Sequence, residues 1–72
     1  MQLVSVQSRT VDKIGYDEAE QELHVIFLSG GRHYVYSGVL ERVHDEFLAA
    51  PSKGQFVHSK LRNGPYPCRR LA

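Results

Sequence analysis

From Val11 to Ser37 apolar positions recur at intervals of about two, and after Gly38 at about 3.6, which places a sheet ahead of a pair of helices. The sheet signal is sharpest in Leu23 to Ser37, LHVIFLSGGRHYVYS, where two runs rich in β-branched and aromatic residues meet across Gly30-Gly31. Glycine supplies the positive φ of a tight hairpin turn, so this stretch reads as strand, turn, strand. A two-residue Gly30-Gly31 loop sets Ser29 opposite Arg32, Leu28 opposite His33, Phe27 opposite Tyr34, Ile26 opposite Val35 and Val25 opposite Tyr36. Alternation then puts Leu23, Val25, Phe27, Tyr34 and Tyr36 on one face, and His24, Ile26, Leu28, His33, Val35 and Ser37 on the other. The first face is the more apolar, and it is the one expected to lie under helices. Tyr34 and Tyr36 therefore read as core aromatics, with their hydroxyls reaching the edge for a hydrogen bond.

Ahead of the hairpin, Val11, Ile14 and Tyr16 predict a strand, and Gly15 inside it marks a bulge or a close backbone approach. Asp17 to Gln21 suits a turn or a single helical turn, and residues 1–7 suit a short edge strand or an ordered arm. Beyond Gly38, Leu40, Val43, Phe47 and Ala50 fall at helical spacing, predicting a helix over Leu40 to Ala49 that Pro51 stops. Ser52-Lys53-Gly54-Gln55 has the S-x-x-Q form of a capping box, so a second helix starts at Lys53, presents Phe56, Val57 and Leu61, and ends at Asn63-Gly64-Pro65. The expected fold is α+β: a small antiparallel meander of about three strands followed by two short helices packed on one face. One domain spans residues 1–72, with its core in about 8–66 and an extended tail at 67–72.

At 72 residues the core is thin, since a domain of this size buries only about 60% of the surface its unfolded chain exposes. A large enclosed active site does not fit. No apolar run approaches the roughly 18 residues of a membrane span, and Met1 to Val6 lacks the basic start and long apolar run of a secretory signal. Cys68 is the one cysteine and cannot close an internal disulfide, so a cytoplasmic protein is expected. The net charge of +1 hides an asymmetry: after Glu46 no acid appears, while Lys53, Lys60, Arg62, Arg69 and Arg70 do. Such a basic C-terminal face meets phosphates or acidic partners.

Catalytic sets are missing. No two of His24, His33, His44 and His58 have the i, i+4 spacing of a helical metal site. In the register above, His24 and His33 lie several residues apart along their strands, too far for one ion at about 2 Å from each ligand. Cys68 beside Arg69 has a cation that would lower a thiol pKa, but no base to serve it. Ser29-Gly30-Gly31 joins two strands and opens no helix onto a phosphate, whereas the start of the second helix at Ser52-Lys53-Gly54 has free amides and a lysine beside them. No metal and no cofactor is expected.

Several short elements occur in a telling order: Ser8 with Val11, Ile14-Gly15-Tyr16-Asp17, Leu23-His24-Val25-Ile26-Phe27 followed by Gly31, the central Tyr34-Val35-Tyr36, and Ser52-Lys53-Gly54-Gln55-Phe56 leading through Leu61-Arg62 to Tyr66. Together they make the chain resemble the KTSC domain, a small bacterial module found at the C-terminus of some lysyl-tRNA synthetases and as a free-standing protein. Family members often carry a proline near Leu40 and an aromatic near Cys68, and this chain departs from both. The synthetase context of the resemblance implies RNA as a ligand.

The expected function is thus a non-enzymatic module that binds RNA through Lys53, Lys60, Arg62, Arg69 and Arg70, with Tyr66 as a stacking group. The alternative is a protein-protein adaptor, a small regulator of a translation or transcription machine, using the strip Ile26, Leu28 and Val35. No membrane partner is expected, and the chain is expected to be a monomer or a weak homodimer.

Overall fold

The computed structural model describes residues 1–72. Its sheet has five antiparallel strands in sequence order: β1 (Leu3–Ser5), β2 (Val11–Asp17), β3 (Glu22–Phe27), β4 (His33–Ser37) and β5 (Cys68–Arg70). The meander expected from the sequence is present, with two more strands than the expected three. Both additions are three-residue edge strands whose residues are all exposed. They are held by ladder hydrogen bonds more than by burial, so the apolar pattern hardly marks them. The N-terminal arm is the edge strand, and the extended tail at 67–72 supplies the other.

The hairpin between β3 and β4 departs from the expected register by two residues. Leu23 faces Tyr36, His24 faces Val35, Val25 faces Tyr34 and Ile26 faces His33. The cause is the turn. Phe27 N–H donates to Arg32 O at 2.9 Å, so the connection is the four residues Leu28 to Gly31, with Ser29–Gly31 forming one 3₁₀ turn and Gly30 and Gly31 at φ 71° and 60°. A shift of two preserves which side chains share a face. Leu23, Val25 and Tyr36 are buried on the helix side as expected, with Phe27 and Tyr34 half-buried beside them. Phe27 and Tyr34 pack edge to face, ring centroids 5.6 Å apart.

Strict alternation would send Val11 and Ile14 to opposite faces, yet both are fully buried in one core. A bulge between Val11 and Lys13 adds one residue to β2 and brings Val11 round to pair with Phe27. Gly15 is the close approach and not the bulge. A Cβ built there would lie 2.8 Å from Leu3 Cδ2 and 3.1 Å from Gln2 O, so a larger residue would push back the side chain and backbone of the N-terminal arm that lies beside it.

After Gly38, Val39 turns into the core, and the carbonyl of Val39 accepts from Tyr16 Oη at 2.6 Å. The first helix, α1, runs Glu41–Ala49. Leu40, expected inside it, is its extended N-cap residue and half exposed; its carbonyl accepts from Val43 N–H at 2.9 Å, and Val39 fills the core in its place. The second helix, α2 (Lys53–Phe56), is capped by Ser52 Oγ accepting from Gln55 N–H at 3.2 Å, and continues as a π-helical segment through Val57–Arg62. Phe56 stacks on Phe47 with centroids 4.9 Å apart, while Val57 and Leu61 point into the core. Each fully buried Val, Leu, Ile or Phe here contributes about 1.5–3 kcal/mol relative to exposure. No helix is long and apolar enough to cross a membrane.

Candidate nucleic-acid interface

The helices do not close completely over the β4–β5 end of the sheet. They leave a cleft of about 500 Å³ lined by residues of the hairpin, the π-helical segment and β5. Its aromatic lining is Phe27, Tyr34, Tyr36 and Tyr66, and its polar lining is Thr10, Arg32, His58, Arg62 and Cys68. None of the lining residues is acidic, and Arg32 and Arg62 are cationic. Arg32 is placed by the turn itself, its Nε donating to Ser29 O at 3.2 Å. Arg62 ends the π-helical segment, one residue beyond buried Leu61.

The two tyrosines of β4, both expected in the core, divide between two roles. Tyr36 is 3% exposed and belongs to the core, and burial, followed by the neighbouring Cys68 thiol, pushes its hydroxyl up to about 12. Tyr34 is half-buried and forms part of the cleft wall. They share a face but not a depth.

The basic residues expected to act together are dispersed. Arg62 and Tyr66 line the cleft. Arg70 pairs in register with Tyr34 at the open edge, its Nε donating to Ala72 O at 3.0 Å. Lys53 is half-buried and donates from Nζ to Ala50 O at 2.6 Å, closing the end of α1. Lys60 is exposed beside a second, shallow depression. Arg69 pairs with Val35, on the far side of the sheet from Arg70, and is held in a bidentate ion pair with Glu22 at 2.8 and 3.2 Å. That pair holds the Glu22 carboxyl below its usual range and the Arg69 guanidinium above its own. Sequence reasoning missed Arg32 and His58. Arg32 directly follows the two glycines, and a turn one residue longer on each strand is the signal that would have placed it.

The far face corrects two further expectations. The strip Ile26, Leu28 and Val35 is uneven: Leu28 is half exposed, Ile26 is half-buried, and Val35 is fully buried between His24 and Arg69 in register. Val35 is thus closed to a partner. His24 and His33, expected to lie far apart, have Nδ1 and Nε2 2.8 Å from one another. The two-residue register shift makes them diagonal neighbours. Their ring centroids are 5.0 Å apart, so the two nitrogens meet head to head, one ring donating and the other accepting. Burial, and then the His33 charge, lower the pKa of His24.

The family model of the KTSC domain matches residues 7–66, most of the chain. The chain belongs to the KTSC family. A protein from Tsukamurella paurometabola is 45% identical to it over 57 residues, which cover 79% of this chain and 84% of that protein. The crystal structure of a KTSC domain protein from Yersinia pestis superposes with a TM-score of 0.89 at 37% identity, covering 99% of this chain and 97% of that one. This KTSC domain therefore shares its fold with that protein over almost the full length of both chains.

Proposed function

We propose that this KTSC domain is a non-enzymatic binding module for single-stranded RNA and that the cleft is where RNA is held. The observation that carries the reading is the lining: Tyr34, Tyr66 and Phe27 offer faces for unpaired bases, Arg32 and Arg62 meet phosphates, and no acid opposes them. Arg70 at the open edge adds a third cation on the same side of the sheet. Lys60 lies outside this site, and Arg69 faces away from it. Affinity for a short unstructured RNA should fall steeply with salt, with a slope of about −0.7 per phosphate contact. Binding that is flat or absent between low and moderate salt overturns the proposal.

A second reading, a protein-protein adaptor, is favoured by the uncovered sheet face, where Leu3 is exposed, and by exposed Leu28 in the turn beside it. Capture of partners from lysate with and without nuclease separates the two.

A further inference from the structure

We propose that His24 and His33 form a two-coordinate site for a soft monovalent d10 cation, Cu(I) or Ag(I), on the open face of the sheet. The site is separate from the cleft and does not depend on RNA binding there. The expected hairpin register keeps the two histidines apart, and the observed one brings His24 Nδ1 to 2.8 Å from His33 Nε2. No other hydrogen bond holds either imidazole. The ring centroids are 5.0 Å apart across that contact, so the two nitrogens oppose one another nearly in line. Opposed imidazoles are the ligand set of linear coordination, which monovalent d10 ions adopt, whereas zinc takes four ligands.

The surroundings point the same way. In register His24 lies between Gly15 and Val35, and His33 lies opposite Ile26, so these cross-strand neighbours carry no carboxylate. Glu22, two residues before His24 on the same face, is committed to Arg69 through two hydrogen bonds. No group of three His, Cys, Asp or Glu that could hold a metal ion exists in the molecule, so a four-coordinate centre of those residues is not built. His24 is only 8% exposed, and a single charge is less costly to place beside it than a double one. A cation about 2 Å from each nitrogen sets them about 4 Å apart, so the ion enters as the contact opens by about 1 Å. His33, half-buried and the first residue of β4, supplies that movement. The ring that donates in the pair shifts its proton to its other nitrogen, both lone pairs then face the ion, and no net proton is released.

The test titrates silver nitrate into the full chain carrying Cys68→Ser, since the exposed Cys68 thiol would otherwise take the ion. Native mass spectrometry should show one tightly held Ag(I) per chain. Nitrogen correlation spectra of the imidazoles should shift His24 Nδ1 and His33 Nε2 and leave the rings of His44 and His58 in place. Adding His33→Gln should weaken binding by at least about tenfold, and adding His58→Gln should leave it unchanged. Ag(I) should raise the thermal midpoint of the C68S chain and leave that of C68S/H33Q where it was. The ring shifts are read on the C68S chain itself, so they decide the matter even if H33Q fails to fold. Unmoved His24 and His33 rings at saturating Ag(I) would mean that the pair holds only its shared proton, and the inference is overturned. Equal Ag(I) affinity in a folded H33Q chain, or Zn(II) taken up by the pair in preference to Ag(I), overturns it as well.

Discussion

The helix-covered face of the sheet and the face opposite it solve the same problem with different materials. On the covered face, Leu23, Val25 and Tyr36 disappear under Phe47, Val57 and Leu61, an apolar core in which volume and shape decide stability. The opposite face has no helix. There Val35 is buried by its strand neighbours, His24 and His33 share a hydrogen bond, Glu22 and Arg69 pair across the sheet, and the Leu3 side chain packs over Gly15. A sheet this small keeps its second face out of water by lateral contacts, each of which is polar, or short, or both. The covered face should therefore respond to volume and the open face to charge and pH.

The sharpest way to break that contrast is a charge at the one fully buried position of the open face. Val35→Asp places an unpaired carboxylate there and should unfold the domain, seen as loss of the cooperative thermal transition, because a buried unpartnered charge costs several kcal/mol at least. Leu28→Asp, in the hairpin connection and half exposed, should leave the transition near its wild-type midpoint. If both variants fold, Val35 is not the sealed position described above.

A smaller effect is expected where the arm pairs with β2. Gly15→Ala puts a methyl into the space of Leu3 Cδ2 and should destabilise the protein by about 1–3 kcal/mol in denaturant titrations, with faster amide exchange in Leu3–Ser5. Unchanged exchange in that strand would mean that the arm contributes nothing to the open face.

The mildest test is pH. The pKa of His24 is lowered below the model-compound value of 6.5 in the folded chain, so the unfolded chain binds the proton more readily. Stability from this source is complete above about pH 6.5 and declines as pH falls toward the folded value. The groups around it are His33 and Arg69, which oppose protonation, and Glu22 and Asp17, which favour it. His24→Leu should flatten the midpoint against pH between 7 and 5, a window above the range in which the carboxylates titrate. An identical slope in wild type and variant would remove the histidine pair from the account.

Much of this architecture can be read from the chain, and the losses have definite causes. The order of sheet then helices, the helix start at Lys53 and the residues of the covered face follow from periodicity and capping, because both depend on neighbours in sequence. Strand number does not. Leu3–Ser5 and Cys68–Arg70 exist because a longer strand lies beside them, and nothing in three exposed residues announces that. The bulge at Asp12 is equally invisible, since it serves only to reconcile Val11 with Ile14. At the site, Arg62 and Tyr66 were legible from composition, whereas Arg69 was misplaced. Once Cys68–Arg70 is a strand, adjacent arginines must point to opposite faces, and Glu22 claims the one on the far side.

The four-residue hairpin connection also says how this domain can change length. Residues added between Phe27 and Arg32 lengthen the connection and leave Ile26 opposite His33, so Tyr34 and Tyr36 stay on the helix side. A slip of the ladder itself by one residue would instead present His33 and Val35 to the helices and turn both tyrosines outward. The loop is thus free to vary in length, while the parity of the ladder behind it is held by the core.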